Sequence, residues 1–238
     1  MRSLVVLPTY NEILNVEAMV RRLRDVVPSA EILVVDDASP DGTAATAERL
    51  ADELGQIEVM QRRTKSGLGG AYRAGFAWGL ERGYDSFVEI DCDFSHDPAV
   101  LPALLAASAQ YDVVIGSRYV RGGSIPQWSL PRRLLSRGGN QYATLMLGLG
   151  VADATSGYRV YSRTALEKID FQSVSADGYG FQIEMTYRAR RGGASIIEVP
   201  IAFTDRTRGE SKMSSVIVVE ALWLVTKWGL ERWRGARR

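Results

Sequence analysis

Short apolar runs alternate with amphipathic stretches through the first half of the chain, and this alternation restricts the fold more than any other feature. The runs are Ser3–Leu7, Ile32–Asp36, Ile57–Gln61, Phe87–Ile90 and Val113–Gly116. Between them, apolar residues recur at helical spacing near Asn15–Val26, Thr43–Leu54, Leu68–Arg82 and Ala99–Ala107. Short strands apolar throughout, each followed by a helix, predict an α/β chain: a mostly parallel sheet with helices on both faces. Asp41, followed by Gly42 and Thr43, is placed to cap the second helix. Past Ser117 the pattern loosens. Arg121–Pro131, rich in Gly, Pro and Ser, reads as a mobile loop, followed by a helix at about Leu134–Leu147 and a polar segment, Asp153–Arg159. A further helix near Phe181–Arg191 and a strand at Ser195–Val199 complete the pattern. With 238 residues the chain suffices for one sizeable α/β domain and falls short of two ordinary ones.

Composition removes several classes of chemistry. A formal net charge of +1 gives no case for nucleic acid as the main partner. The single cysteine, Cys92, excludes an internal disulfide and fits a reducing compartment. His96 is the only histidine, so His-rich zinc sites and Ser-His-Asp catalysis have almost no material. The apolar run Leu4–Leu7 is too short and wrongly flanked for a secretory signal. No segment reaches the roughly 18–20 uninterrupted apolar residues of a spanning helix. The nearest approach, Val216–Leu230, is broken by Glu220 and Lys227.

Chemistry-bearing residues collect where the predicted strands end. Asp91-Cys-Asp-Phe-Ser-His96 follows directly on Phe87–Ile90, which puts two carboxylates at the carboxyl edge of the sheet, where ligands of open α/β folds bind. Alternating strand geometry points them differently, so one can hold a divalent cation while the other positions the ligand. Hard oxygen donors suit Mg²⁺ or Mn²⁺, the ions that bridge diphosphates. An isolated Asp-x-Asp is more often a solvated turn; here other strand ends point to the same ligand. The first ends in Leu7-Pro-Thr-Tyr-Asn-Glu12, either a turn with a surface Tyr or a ring and a carboxylate for a base. The second ends in Val34-Val-Asp-Asp-Ala-Ser-Pro-Asp-Gly42, with an acid where dinucleotide-binding folds hold a ribose. A dehydrogenase does not fit, because the first strand–helix turn lacks G-x-G-x-x-G; Gly67, Gly69 and Gly70 match neither that spacing nor a Walker loop. Lys65 beside them reads as a solvated loop lysine or a phosphate contact.

Together, Pro8-Thr-Tyr-Asn-Glu12, Val35-Asp-Asp-Ala-Ser-Pro-Asp-Gly-Thr43 and Asp91-Cys-Asp93 resemble the GT-A-fold glycosyltransferases of family 2. Gly116-Ser-Arg-Tyr119, Thr155-Ser-Gly-Tyr-Arg159 and the run Phe203–Lys212 are similar to the dolichol-phosphate (polyprenol-phosphate) mannose synthases within that family. The resemblance covers nearly the whole chain and implies transfer of mannose from GDP-mannose to a polyprenyl phosphate, with inversion. It assigns Pro8, Tyr10, Glu12, Val35 and Asp37 to the guanosine. Asp91 and Asp93 take the metal and diphosphate, with the Cys92 backbone on the ribose side. Ser95 falls where some members carry a metal-ligating Gln. Arg118, Arg206 and Lys212 match phosphate-contacting positions, and Asp93 joins these three as the catalytic set. Arg132 and Ser136, with Arg118, match the acceptor-phosphate region. The Q-x-x-R-W signature of processive synthases is absent, and Gly180-Phe-Gln-Ile-Glu184 occupies that region, so one sugar per turnover is expected. Two other readings remain: a UDP-glucose-dependent polyprenyl-phosphate glucosyltransferase, and a catalytically silent glycosyltransferase-like binding subunit.

An acceptor of this class brings its own nucleophile. A phosphate monoester has a second pKa near 6 and is largely a dianion at neutral pH, so it needs cationic surroundings more than a base. Downstream, Ser214–Trp233 forms a helix apolar over a wide arc, with three tryptophans followed by Arg232, Arg234, Arg237 and Arg238. That pattern predicts a peripheral helix in a membrane interface, on the cytoplasmic side; a core or dimer helix is the competing expectation. The expected division is therefore a catalytic domain over 1–212 and an interface tail over 213–238, with room for a membrane-protein partner.

Overall fold

The computed structural model describes residues 1–65, 67–206 and 215–235. The strands are β1 (Ser3–Thr9), β2 (Glu31–Asp36), β3 (Ile57–Gln61), β4 (Ser86–Glu89), β5 (Val113–Ser117), β6 (Arg159–Ser162) and β7 (Ile196–Pro200). The helices are α1 (Val16–Val26), α2 (Thr43–Leu54), α3 (Gly67–Glu81), α4 (Leu101–Ala107), α5 (Leu130–Leu147), α6 (Arg163–Ile169), α7 (Gly178–Arg191) and α8 (Ser215–Gly235). The strands form one sheet in the order β3-β2-β1-β4-β6-β5-β7. Pairing is parallel except at β6, which runs antiparallel to both β4 and β5.

Residues along β1 alternate between two cores, which explains why its run is apolar without interruption. Leu4 and Val6 join the core under α3, α5, α6, α7 and α8. Val5 and Leu7 join the core under α1, α2 and α4. On the first face α3 lies unusually close to the sheet. A Cβ on Gly75 would sit 2.4 Å from Val6 Cγ1, and one on Gly79 would sit 2.6 Å from Leu4 Cδ2.

The expected elements are present with small shifts at their ends, and the differences have physical reasons. Asp41 does cap α2, accepting from the Thr43 backbone N–H at 3.0 Å and from its hydroxyl at 2.6 Å. Before α4, Pro98–Val100 form a 3₁₀ turn, closed by the Asp97 side chain accepting from Ala99 N–H. Helix α5 begins at Leu130 rather than near Leu134, because Pro131 sits in its first turn, where a missing N–H costs nothing. Strand β6 and helix α6 have no counterpart in the sequence reading. β6 is four residues long and opens on a charged residue, Arg159, that is fully buried. Its guanidinium donates to Ala154 O, Ser156 O, Gln182 O, Thr186 Oγ1 and the Tyr161 hydroxyl. This stitches the 153–159 segment to α7.

Two expectations change. The 121–131 segment is held down rather than mobile: Ser124 N–H donates to Ile201 O, Phe203 N–H donates to Ser124 O, and Trp128 is buried. Helix α8 packs beside α5 and α7 instead of standing apart as a tail, with Ala221 and Val225 in the core and Thr226 Oγ1 hydrogen-bonded to the Tyr142 hydroxyl. The expected boundary at 212/213 lies outside the described residues. On the rest of the helix Val219, Leu222, Trp223, Leu230 and Trp233 are exposed.

The tight α3–sheet approach yields a stability test. Gly75→Val forces its side chain into Val6 and should cost about 1–3 kcal/mol, the usual penalty of overpacking a well-filled core. Urea denaturation would show this as a lower midpoint with an unchanged slope.

Candidate active site

Three strand ends converge at one edge of the sheet. The register pairs Thr9 with Asp36 across β1 and β2, and Val6 with Glu89 across β1 and β4. Thr9 Oγ1 donates to Asp36 Oδ1 at 2.9 Å, and Asp36 also accepts from the Ser39 hydroxyl and backbone N–H. Two to five residues beyond each strand a non-glycine residue adopts a left-handed backbone: Asn11 (φ 55°), Ala38 (φ 58°) and Phe94 (φ 59°). Such conformations cost on the order of 1–3 kcal/mol and persist where the surroundings impose them. Each directly follows a candidate ligand residue: Tyr10, Asp37 or Asp93.

These turns wall a cleft of about 380 Å³ lined by Pro8, Tyr10, Glu12, Asp37, Asp91, Cys92, Asp93 and Arg206 among others. Eight residues expected to hold the nucleotide sugar are thus brought together. Glu12 Oε2 accepts from the Asn15 side-chain amide at 2.8 Å. Asp37 is paired with Arg62 at 2.6 Å. Asp91 Oδ1 accepts from the Tyr72 hydroxyl at 3.3 Å. Asp93 Oδ1 accepts from Ser95 N–H at 2.9 Å, and its Oδ2 meets Arg206 Nη2 at 2.8 Å. Burial, and then the neighbouring Asp93 charge, push the Asp91 carboxyl well above the usual carboxylate range.

That surplus of negative charge is the test of whether a divalent cation fits. Among the described residues no group of three or more His, Cys, Asp or Glu could hold a metal. Two crowded carboxylates suit an ion that takes its other ligands from a diphosphate and water, as Mg²⁺ and Mn²⁺ do. Ser95 meets Asp93 through its backbone N–H and is not part of the cleft wall.

A second cleft of about 500 Å³ adjoins the first, between α5, α7 and α8. Trp128, Leu135, Ile183, Leu222 and Val225 give it an apolar wall, while Arg132, Ser136, Asn140 and Thr155 make a polar one. Arg132 and Ser136 therefore fall together, as expected. Ser136 Oγ accepts from the Tyr119 hydroxyl at 2.6 Å, and Asn140 Nδ2 donates to Ser136 O and Thr155 Oγ1. A wider depression of about 940 Å³ at the C-terminal ends of α7 and α8 has no comparable chemistry. Two of its arginines, Arg190 and Arg232, donate to Leu149 O and Met146 O.

Two further expected site residues are placed differently. Val35 has its side chain in the core. Arg118 lines neither cleft: it is 4% exposed, its Nε and Nη2 donate to Asp153 at 2.7 and 2.6 Å, and Nη2 also donates to Thr155 Oγ1. Its charge is thus neutralised beneath the second cleft, and it positions Thr155 instead of facing a phosphate. Lys212 lies outside the described residues. His96, the only histidine, is buried between Tyr158 and Phe203; burial holds its pKa down at about 4, so the ring is neutral. Conversely, Lys65, Asp177 and Glu220 line the first cleft without having been singled out for it. Lys65 Nζ lies 4.0 Å over the Tyr10 ring, and Asp177 accepts from Gly69 N–H. Only the Lys65 option of a phosphate contact hinted at this in the sequence.

The Arg118–Asp153 pair has a pH signature. Burial alone would raise the Asp153 pKa; the Arg118 charge and its hydrogen bonds outweigh this and hold it below the ordinary 3.8. A carboxylate held low adds stability above its unfolded value and loses it as pH falls through the folded one. Asp153→Asn should cost about 3–5 kcal/mol at neutral pH, because Arg118 keeps a buried charge without its counter-ion. Urea melts below about pH 4 should then show a shallower loss of stability in the variant than in the wild type.

Comparison with known proteins agrees with this geometry. Residues 4–170 match the glycosyl transferase family 2 model. The chain is 52% identical over 238 residues to the undecaprenyl-phosphate mannosyltransferase of Micrococcus luteus, covering 100% of this chain and 98% of the relative. It is 49% identical over 243 residues to the polyprenol monophosphomannose synthase of Mycolicibacterium smegmatis, covering 100% and 92%. Its fold is similar to glucosyl-3-phosphoglycerate synthase from Mycobacterium tuberculosis with Mn²⁺ and UDP-glucose, at TM-score 0.67 and 22% identity, covering 95% of this chain and 78% of that one. It is also similar to a mannosyltransferase from Pyrobaculum calidifontis with GDP-mannose and Mn²⁺, at TM-score 0.59 and 17% identity, covering 97% and 72%. The fold is GT-A, and the chain belongs to glycosyltransferase family 2.

Proposed function

We propose that this chain transfers mannose, with inversion, from GDP-mannose to a polyprenyl phosphate at a membrane surface. The observation that carries the reading is the junction of an acidic, nucleotide-sized cleft with an amphipathic one. Neighbours in sequence serve both: Asp177 and Gly178 line the first, Tyr179 the second. The close relatives named for polyprenyl-phosphate mannose transfer support the same reading.

Pro8, Tyr10, Glu12 and Asp37 hold the guanosine, with Glu12 and Asp37 offering carboxylates to base and ribose donors. Val35 takes part only through its backbone. Asp91 and Asp93 would hold a divalent cation, which would supply Lewis-acid neutralisation of the diphosphate charge. Arg206, beside Asp93, adds positive charge where the diphosphate leaves. Arg132 and Ser136 take the acceptor phosphate, while Arg118 and Asn140 fix the polar wall behind it. The dianionic acceptor attacks without a base, which accords with the neutral, packed His96.

Among the described residues no helix is long and apolar enough to cross a membrane. Leu130, Leu134, Leu135 and Leu145 on α5 and Val219, Trp223, Leu230 and Trp233 on α8, the helices that wall the second cleft, are exposed and suit insertion into a lipid interface.

The direct assay is formation of a mannolipid from labelled GDP-mannose and polyprenyl phosphate, competed by GDP and not by UDP; competition by UDP alone would overturn the donor. Asp93→Asn should keep its melting temperature within a few degrees and lose about a thousandfold in kcat/KM, the scale of a lost bridging Lewis acid. Retention of most activity would remove the metal assignment. Trp223→Glu should leave the melt unchanged and weaken binding to anionic vesicles by about ten- to a hundredfold, the equivalent of one buried aromatic side chain. Undiminished flotation would refute the interface.

A further inference from the structure

The segment 202–206 is bonded to the loops of both clefts. On the nucleotide side, Thr204 N–H donates to Ser95 O, its hydroxyl donates to Phe94 O, and Arg206 pairs with Asp93. On the acceptor side, Phe203 N–H donates to Ser124 O and Asp205 N–H donates to Gln127 Oε1. The Asp205 carboxylate then grips the acceptor cleft twice: Oδ1 accepts from Trp128 Nε1 at 3.0 Å, and both oxygens lie 3.0 Å from Arg132 Nη1. The Arg132 guanidinium meanwhile stacks 4.0 Å over the Trp128 ring.

Asp205 therefore occupies the cation that the acceptor phosphate needs. A carboxylate this close to Arg132 also repels an incoming dianion, so the two cannot share that guanidinium at equal strength. The Arg132 and Asp205 side chains are 51% and 42% exposed, so the pair is screened and easily exchanged. One peptide bond away, Arg206 holds the carboxylate that faces the diphosphate. Anything that draws Arg206 toward a bound diphosphate shifts the backbone that carries Asp205.

Building on the proposed function, we propose that Asp205 is a positioning residue that competes with the acceptor phosphate for Arg132 and relays donor occupancy to the acceptor cleft. With no nucleotide present, Asp205 retains Arg132 and acceptor affinity is low. With nucleotide bound, the Asp205–Arg132 contact loosens and acceptor affinity rises. The enzyme thereby favours donor before acceptor. Residue 205 touches no reacting atom in this account; it acts through Arg132.

Calorimetric binding of a short-chain prenyl phosphate, with and without GDP plus Mg²⁺, tests this apart from turnover. In the wild type, GDP and Mg²⁺ should tighten the acceptor. Asp205→Asn should bind acceptor about two- to fivefold tighter than wild type without nucleotide, the scale of one exposed ion pair, and gain less from adding it. Asp205→Glu, which restores the charge, should recover the wild-type coupling. If Asp205→Asn melts normally yet binds acceptor no tighter, or keeps the full response to nucleotide, the relay is refuted. Should the asparagine variant melt early, Asp205→Glu decides alone: wild-type coupling supports the relay, and lost coupling in a stable protein refutes it. Wild-type protein that binds no prenyl phosphate at all would instead refute the function on which the relay rests.

Discussion

Parallel pairing of β1 with β2 and β4 delivers Thr9, Asp36 and the Asp91–Asp93 segment to one edge of the sheet, and the first cleft exists because of that register. A slip of one residue would turn every side chain of β1 to the opposite core. The two cores prevent it, since Leu4 and Val6 fill one while Val5 and Leu7 fill the other. Beyond the strands, hydrogen bonds tie two of the left-handed turns down: Asn11 N–H donates to Ser39 Oγ, and Phe94 O accepts from the Thr204 hydroxyl. Tyr10, Asp37 and Asp93, each just before one of these turns, line a common cleft.

The second cleft depends on buried charge. Arg118–Asp153 and the Arg159 network fix the 153–159 segment between the sheet and α7, and that segment carries Thr155 into the polar wall. Such pairs are expensive to bury and more expensive to break, so they specify one arrangement of the loop. The outcome is a division of labour among arginines. Arg118 and Arg159 are consumed by architecture, while Arg132 and Arg206 stand half-exposed or at the cleft wall, held by carboxylates from which a phosphate can take them. No histidine need take a proton, because the acceptor arrives ionised.

Much of this was legible in the sequence, for a local reason. The first five strands and the Asp41 cap are decided within a few residues, and the structure has them, with strand ends shifted by at most two positions. What the sequence hid was decided at long range. β6 is short and begins on an arginine whose five acceptors lie as far away as Thr186. Arg118 reads as a phosphate ligand until Asp153, 35 positions away, is seen to neutralise it. Val35 sits in a matching motif but on the core face of its strand. Glu220 on α8 and Asp177 just before α7 line the first cleft, and no local pattern announces that. The wide apolar arc of α8 suits either core or interface; the structure puts Ala221 and Val225 inside and leaves Trp223 and Leu230 exposed.

On the proposed function, two adjoining clefts hold a metal-bound nucleotide and a lipid phosphate, with the Asp93–Arg206 and Asp205–Arg132 contacts between them. A crystal structure with Mn²⁺, GDP and a short prenyl phosphate, with the manganese located by anomalous scattering, tests it most directly. The account predicts manganese on the carboxylates of Asp91 and Asp93, and the prenyl phosphate on Arg132 and Ser136 with its tail running between α5 and α8. Manganese away from both aspartates, or the prenyl phosphate bound outside the α5–α8 cleft, would contradict it.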